Sequence, residues 1–440
     1  MSAFEKIIGY DREKKELMQI GDILKNAEVY EKLGVTAPAG LLLYGKPGVG
    51  KTSMAQALIE DSGRQVFLCR KDKGKYEFIN SIKEVFTAAA ANAPSIVFLD
   101  DMDKYADTDD SHKNAEEYVT IQSCIDEIKN KSVFVLATVN EIDILPDSLL
   151  RAGRFDQIME IEVPRGAEAV EIIKHYLKDK DFELNEKSIK TVARIMDGCS
   201  CAKLETAINT AGQYAGYERA AKIMPEHLIR ACIKMAYEIK LDSEEYIANW
   251  SEYAKNGDNV IAQIIYHEAG HAVVSEVLCP GSVTFILAQK DARYLGGLTS
   301  CYNDASYPSL KWRQSRIIGA LGGKAAVDLK YGMTDMGASR DLEAAFAEIK
   351  DLLNNGAYGL QIYSPERGRS FLFPTDDRKQ KQEQVICAEM ERNYRKAKEI
   401  LMQNIEFLEK LAVALAQKGF LLLEDIQKIK AECQIAAAMI

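Results

Sequence analysis

Apolar residues in the first third of the chain fall into five short runs, at 41–44, 66–69, 96–100, 133–138 and 158–163. Each has the length of a β-strand. Between them the apolar spacing is helical, as over 53–60 and 79–91. The middle three runs are almost continuously apolar, which predicts parallel strands covered on both faces. This alternation predicts an α/β domain with a parallel sheet over 1–165. After Pro164-Arg165-Gly166 the strand pattern stops. A helical module of about four helices is expected over 166–240, with turns at Asp181, Asp197-Gly198 and Met224-Pro225. Residues 241–259 are polar and acidic and read as a linker. A mainly α-helical domain is expected over 260–440, with a strand-rich patch near 283–300 and a Pro-, Gly- and Ser-rich loop at 363–377.

Composition narrows the class. The 440 residues are 47% apolar and 28% charged, which excludes a disordered or low-complexity chain. Net charge is −10, whereas a general binder of phosphate backbones is basic, so no nucleic-acid partner is expected. None of the nine cysteines pairs as C-x-x-C, and reduced thiols are expected. No apolar run approaches the roughly 20 residues of a membrane span, and residues 1–15 lack the apolar core of a signal peptide. The expectation is a soluble cytoplasmic protein, with recruitment by a membrane-anchored partner or adaptor left open.

The first chemical motif is Gly45-Lys46-Pro47-Gly48-Val49-Gly50-Lys51-Thr52, which fits G-x-x-x-x-G-K-[ST] between a predicted strand and a predicted helix. Glycines let backbone N–H groups turn onto phosphates, and the helix N-terminus adds positive potential. Lys51 is expected on the β/γ-phosphates of ATP and Thr52 on Mg²⁺. The apolar run at 96–99 delivers Asp100 to the metal side, followed by Asp101 as a carboxylate to activate water. Asn140, at the end of another run, is a candidate to orient that water. Arg151 and Arg154 suit a finger acting across a subunit interface, although their spacing alone favours a pair of surface salt-bridge residues.

In order and in spacing, residues 41–52, 94–103 and 140–156 resemble the AAA+ ATPases. The resemblance implies a P-loop domain with a helical lid at 167–235 and assembly into a ring, usually a homo-hexamer. It implies Asn140 as the first sensor and Arg151 and Arg154 as trans-acting fingers. Ile8 and Gly9 join the expected nucleotide-binding set.

The second motif is His267-Glu268-Ala269-Gly270-His271, an H-E-x-x-H inside a helical pattern at 261–278. Four residues turn a helix by about 400°, so both imidazoles leave one face, one turn apart. They suit two zinc ligands, and Glu268 can take a proton from a water made acidic by the metal. A third ligand is needed. Asp328, Asp335 and Asp341 are candidates that spacing does not separate. His112, His175 and His227 stand among polar residues and read as surface.

Residues 266–272, 321–332, 337–342 and 391–394 resemble the peptidase domain of the FtsH family of ATP-dependent zinc proteases, and the likeness extends over about 5–435. It implies His267, His271 and Asp341 as zinc ligands and Glu268 as general base. It also implies a strand at 295–300 that aligns polypeptide substrate by main-chain pairing. Three departures stand out. The family's usual membrane anchor is not seen, and Asp101 stands where the family has glutamate. The region Lys71-Asp72-Lys73-Gly74-Lys75-Tyr76-Glu77-Phe78 is shorter than the family's pore loop, with Tyr76 or Phe78 as candidates to grip substrate. The expected activity is an ATP-dependent zinc metalloprotease that unfolds, translocates and processively cuts polypeptides. The alternatives are an ATP-binding remodelling or assembly factor with weak hydrolysis, and a zinc peptidase uncoupled from ATP.

Overall fold

The computed structural model describes residues 3–71, 74–106, 115–239, 241, 250–288, 296–302, 308–333, 336–359 and 376–438. They divide into two compact units, 1–241 and 242–440.

In the first unit α1 (Asp11–Lys25) and α2 (Ala27–Lys32) precede β1 (Gly40–Tyr44), α3 (Lys51–Ser62), β2 (Gln65–Cys69), α4 (Lys75–Ala91), β3 (Ser95–Leu99), α5 (Glu116–Glu127), β4 (Val133–Val139) and β5 (Gln157–Glu160). The sheet has the order β2-β3-β4-β1-β5 and is parallel throughout. Tyr44 pairs with Val139 and Leu99 with Ala137, so Gly45, Asp100 and Asn140 leave the sheet side by side at its C-terminal edge. Ligands bind at that edge in open α/β sheets. Strands β3 and β4 are buried along their whole length, and β1 up to its last residue, Tyr44, which is half-buried. The expected two-sided cover fails for β2, an edge strand whose Val66 and Leu68 are 40% and 50% exposed.

Four helices follow: α6 (Gly166–Leu177), α7 (Glu186–Ile195), α8 (Cys201–Tyr217) and α9 (Pro225–Tyr237). His175 is exposed as expected. His227 is not a surface residue. It is 5% exposed, because its Nδ1 accepts from Met224 N at 3.0 Å and its Nε2 meets Glu218 Oε2 at 3.0 Å. His112 lies outside the described residues.

The second unit runs through α10 (Trp250–Tyr253), α11 (Val260–Leu278), β6 (Val283–Ala288), β7 (Gly297–Cys301), α12 (Leu310–Tyr331), α13 (Ser339–Asn354), α14 (Asp376–Gln403), α15 (Ile405–Lys418), β8 (Phe420–Leu422) and α16 (Leu423–Ala431). Residues 250–259, read as part of a linker, pack within this unit. The Tyr331 hydroxyl donates to Ala254 O, and Asn259 caps α11 by accepting from Ile261 N and Ala262 N. Gly332, at φ 63°, ends α12 in the left-handed conformation that suits glycine. Strands β7, β6 and β8 form an antiparallel sheet, and the short β8 carries no sequence pattern of its own. Helices α11 and α12 cross at glycines. A Cβ on Gly270 would lie 2.4 Å from Gly322 O, and one on Gly322 would lie 2.8 Å from Gly270 O. Among the described residues no helix is long and apolar enough to cross a membrane.

Candidate functional site

The phosphate motif wraps from β1 into α3. Gly45, Gly48 and Gly50 take φ of 145°, 78° and 105°, a sequence of turns that side-chain-bearing residues resist. Gly45 is also pressed against the chain leaving β5, because a Cβ there would lie 2.1 Å from Ile161 O. Lys51 is 6% exposed. Its ammonium donates to Gly45 O at 2.7 Å, Lys46 O at 3.0 Å and Asn140 Oδ1 at 2.9 Å. Burial pulls the Lys51 pKa down, opposed by the charges of Asp103, Asp101 and Asp100.

Asp100 Oδ1 accepts from Thr138 Oγ1 at 2.8 Å and from Thr52 Oγ1 at 3.3 Å. Its other oxygen pairs with the Arg70 guanidinium. The Thr52 hydroxyl and Asp100 carboxylate are hard oxygen donors, the chemistry Mg²⁺ takes. Asp101 sits at φ 54°, and its carboxylate pairs with Lys104 at 2.6 Å. Asn140 donates from N and Nδ2 to the two oxygens of Asp103, at 3.0 and 2.7 Å. Nothing in the local sequence marks Asp103 for this contact.

The P-loop also touches the helical module. Ala202 N donates to Gly48 O at 3.1 Å. Gly9 packs on Glu168, whose Oε1 accepts from Tyr10 N at 2.5 Å. Ile8 is half-buried beside it. The two arginines differ. Arg154 pairs with Asp126 on α5 at 2.8 Å and donates to Ser148 O at 2.5 Å, whereas Arg151 is exposed.

Of the two aromatic candidates for gripping substrate, Tyr76 is 80% exposed. Phe78 is fully buried and stacks edge-on against Tyr105 with ring centroids 4.9 Å apart, so it is core. The segment carrying them is the first turn of α4, and Asp72 and Lys73 lie outside the described residues.

In the second unit α11 presents His267 and His271 on one face. His267 Nε2 lies 2.9 Å from His271 Nε2 and 3.1 Å from Asp341 Oδ2, and His271 Nε2 lies 3.5 Å from the same carboxylate oxygen. Ligands about 2.05 Å from a tetrahedral zinc stand roughly 3.3 Å apart, a value within the range of those three separations. Two imidazole nitrogens and a carboxylate oxygen therefore fit zinc in both donor type and spacing. His271 Nδ1 meets Gly319 O at 2.7 Å. A carbonyl only accepts, so a proton on Nδ1 satisfies this shorter contact and leaves the Nε2 lone pair to the cluster, while Gly323 N approaches the same Nδ1 at 3.3 Å.

Asp341 stands in the first turn of α13, which begins at Ser339. Burial pushes its carboxyl pKa up, but the adjoining His267 and His271 outweigh this and hold it well below the usual range. Asp328 is not near this cluster's chemistry. It accepts from Tyr394 Oη at 2.7 Å and Lys398 Nζ at 2.8 Å, joining α12 to α14. Asp335 lies outside the described residues.

Glu268 is 6% exposed, and its Oε2 accepts from Thr299 Oγ1 at 2.7 Å. Burial raises its pKa against the pull of both histidines and of that hydrogen bond. Two glycines make the room. A Cβ on Gly297 of β7 would lie 2.4 Å from Glu268 Cγ, and one on Gly323 of α12 would lie 2.6 Å from His267 Cε1 and His271 Nε2. Neither glycine nor Thr299 was expected from sequence. The adjacent Gly322-Gly323 in mid-helix is a readable signal, since glycine costs about 1 kcal/mol there against alanine. The predicted 295–300 strand is seen as β7, with Leu295 outside the described residues.

The fold and these two sites define a class: a P-loop ATPase unit joined in one chain to an H-E-x-x-H unit with a third, carboxylate donor. Residues 41–163 match the family model described as ATPase family associated with various cellular activities (AAA). Over 97% of its length the chain is 28% identical to the ATP-dependent zinc metalloprotease FtsH of Caldicellulosiruptor bescii, covering 71% of that protein. It is 26% identical to ATP-dependent zinc metalloprotease FtsH 2 of Thermoanaerobacter sp. strain X514, over 97% of the chain and 82% of the relative. It is 28% identical to the FtsH of Ruminiclostridium cellulolyticum, over 94% and 69%. Over nearly its whole length the chain is thus similar to FtsH zinc metalloproteases, and its residues 41–163 match the AAA ATPase family model.

Proposed function

We propose that this chain is an ATP-dependent zinc endopeptidase that unfolds, translocates and processively cuts polypeptides as a homo-hexameric ring. The observation that carries the reading is the coexistence in one chain of the Lys51, Thr52, Asp100 and Asn140 cluster with the His267, His271 and Asp341 triangle beside Glu268. In this reading residues 1–165 and 166–240 are the ATPase domain and its lid, and 260–440 is the peptidase. The nine cysteines, none of them in a disulfide, favour a cytoplasmic setting.

His267, His271 and Asp341 would hold zinc, which when bound supplies a Lewis acid that polarises a carbonyl and acidifies water. Glu268 takes a proton from the attacking water and returns it to the leaving amine nitrogen. Thr299 holds one oxygen of that carboxylate so that the proton moves at the other. On the ATPase side, backbone N–H groups of 48–52 and the Lys51 ammonium bind the phosphates, and Thr52 with Asp100 would hold Mg²⁺. Arg151 is the exposed arginine available to a neighbouring copy.

One observation favours a second reading. Asp101 is one methylene shorter than glutamate and is paired with Lys104, which suits an ATP-bound remodelling factor with slow turnover. Degradation of a labelled, loosely folded protein, with and without ATP, separates the readings. The coupled protease cuts only with ATP, and Glu268→Gln and Lys51→Ala each abolish cleavage. ATP-dependent binding without cleavage by the wild type would sink the protease reading in favour of the second.

A further inference from the structure

We propose that Asp103 is a positioning residue for ATP hydrolysis, holding the Asn140 amide with its carbonyl oxygen turned into the phosphate site. The inference rests on reading residues 45–52 as an ATP site and adds to that reading the orientation of the group that meets the attacking water.

Both carboxylate oxygens of Asp103 are engaged by one residue. Oδ1 accepts from the Asn140 backbone N–H at 3.0 Å, and Oδ2 accepts from its Nδ2 at 2.7 Å. On the far side Lys51 Nζ donates to Asn140 Oδ1 at 2.9 Å. A carboxylate only accepts and an ammonium only donates, so the amide has one allowed orientation between them. Flipping it would set NH₂ against NH₃⁺ and carbonyl against carboxylate. Asp103 is itself fixed by the turn at Met102–Lys104. Tyr118 Oη anchors that turn through Met102 O at 3.0 Å, and Asp101 N donates to Thr138 Oγ1 at 2.9 Å. The neighbouring Asp101 carboxylate is paired with Lys104. Asn140 Oδ1 is thus an oriented acceptor beside the lysine that meets the phosphates.

In hydrolysis the water oxygen bonds to the γ-phosphorus. The bond from that phosphorus to the β,γ-bridging oxygen breaks, and its electron pair leaves with ADP. The water proton ends on the released phosphate. Asn140 Oδ1 accepts a hydrogen bond from that water and aims its lone pair at phosphorus. An amide free to flip offers N–H there and turns the water away.

Two measurements on the full chain test this. In the first, ¹⁵N-asparagine labelling follows the Asn140 side-chain NH₂ protons, assigned by their loss in Asn140→Asp. They are expected to be displaced and slow to exchange in the wild type, and to move to the position of solvent-exposed asparagines in Asp103→Asn. The second is steady-state ATP turnover beside the affinity for a fluorescent ATP analogue. Asp103→Asn is expected to lower kcat about tenfold or more with affinity within about threefold, and Asp103→Glu to recover part of the loss. Unmoved Asn140 protons, or an unchanged kcat in an active wild type, would overturn the proposal, as would losses of kcat and affinity in equal proportion. The proton signature needs no turnover. Lys51→Ala tests the nucleotide reading separately: if it binds the analogue as the wild type does, that reading fails while the Asn140 protons still decide the role of Asp103.

Discussion

Gly323 matters for the atom it lacks. A Cβ would lie 2.6 Å from ring atoms of both His267 and His271, closer than carbon approaches any nonbonded atom. Either the rings turn out of the triangle with Asp341 or α12 backs away from α11. Alanine is also the better helix former by about 1 kcal/mol, so helix propensity works in favour of the variant. Gly323→Ala is expected to lose most of its bound zinc while keeping wild-type helix content by circular dichroism. Full zinc content by atomic emission, measured on the same preparation, would remove the histidine pair from the metal site. The same reasoning sets Gly297 beside Glu268, where a side chain would strike the carboxylate rather than the imidazoles.

At the scale of elements, α12 does two jobs with two faces. Its glycine face meets α11 and leaves room for the His267, His271 and Asp341 cluster, while Asp328 ties it to α14 through Tyr394 and Lys398. The Lys398 and Tyr394 hydrogen bonds hold the Asp328 carboxyl below its ordinary value of 3.8. A depressed folded-state pKa contributes stability that is complete above the unfolded-state value and is lost as pH falls through the folded-state value. Asp328→Asn is therefore expected to cost about 1 kcal/mol at pH 7, with the gap to wild type closing below pH 3.8. Urea midpoints across that range check it, and a gap independent of pH would mean that packing, not charge, joins the helices. What the sequence revealed at this scale follows from locality. The P-loop and H-E-x-x-H are contiguous, so strand, turn and helix could be read together with their chemistry. Asp341 is 70 residues from His271 and meets it only because α12 and α13 fold back, which is why spacing left three carboxylates open. Likewise an apolar run does not say which strand lies at an edge. Residues 66–69 look like a strand covered on both faces and are not: Val66 and Leu68 share one face and are exposed, while Cys69 on the other is buried.

In the proposed ring, the arginines are the residues through which copies would cooperate. Arg154 is spent within its own unit on Asp126 and Ser148 O, whereas Arg151 projects from the same loop into solvent. If Arg151 serves the ATP site of a neighbour, a copy with a dead P-loop can still lend its arginine. Lys51→Ala and Arg151→Ala are each expected to be inactive in ATP turnover alone. Mixed in equal amounts before assembly, they place an intact P-loop against an intact arginine at about one interface in four of a closed ring, and turnover is expected to return to about that fraction. Arg154→Ala should instead lower the thermal midpoint, because its loss strips partners from α5. Absence of complementation, with both variants folded and assembled, would place the action of Arg151 inside its own chain and leave the ring without this coupling between neighbours. Recovery would tie ATP turnover to assembly, because each active site would then be completed by the arginine of a neighbouring copy.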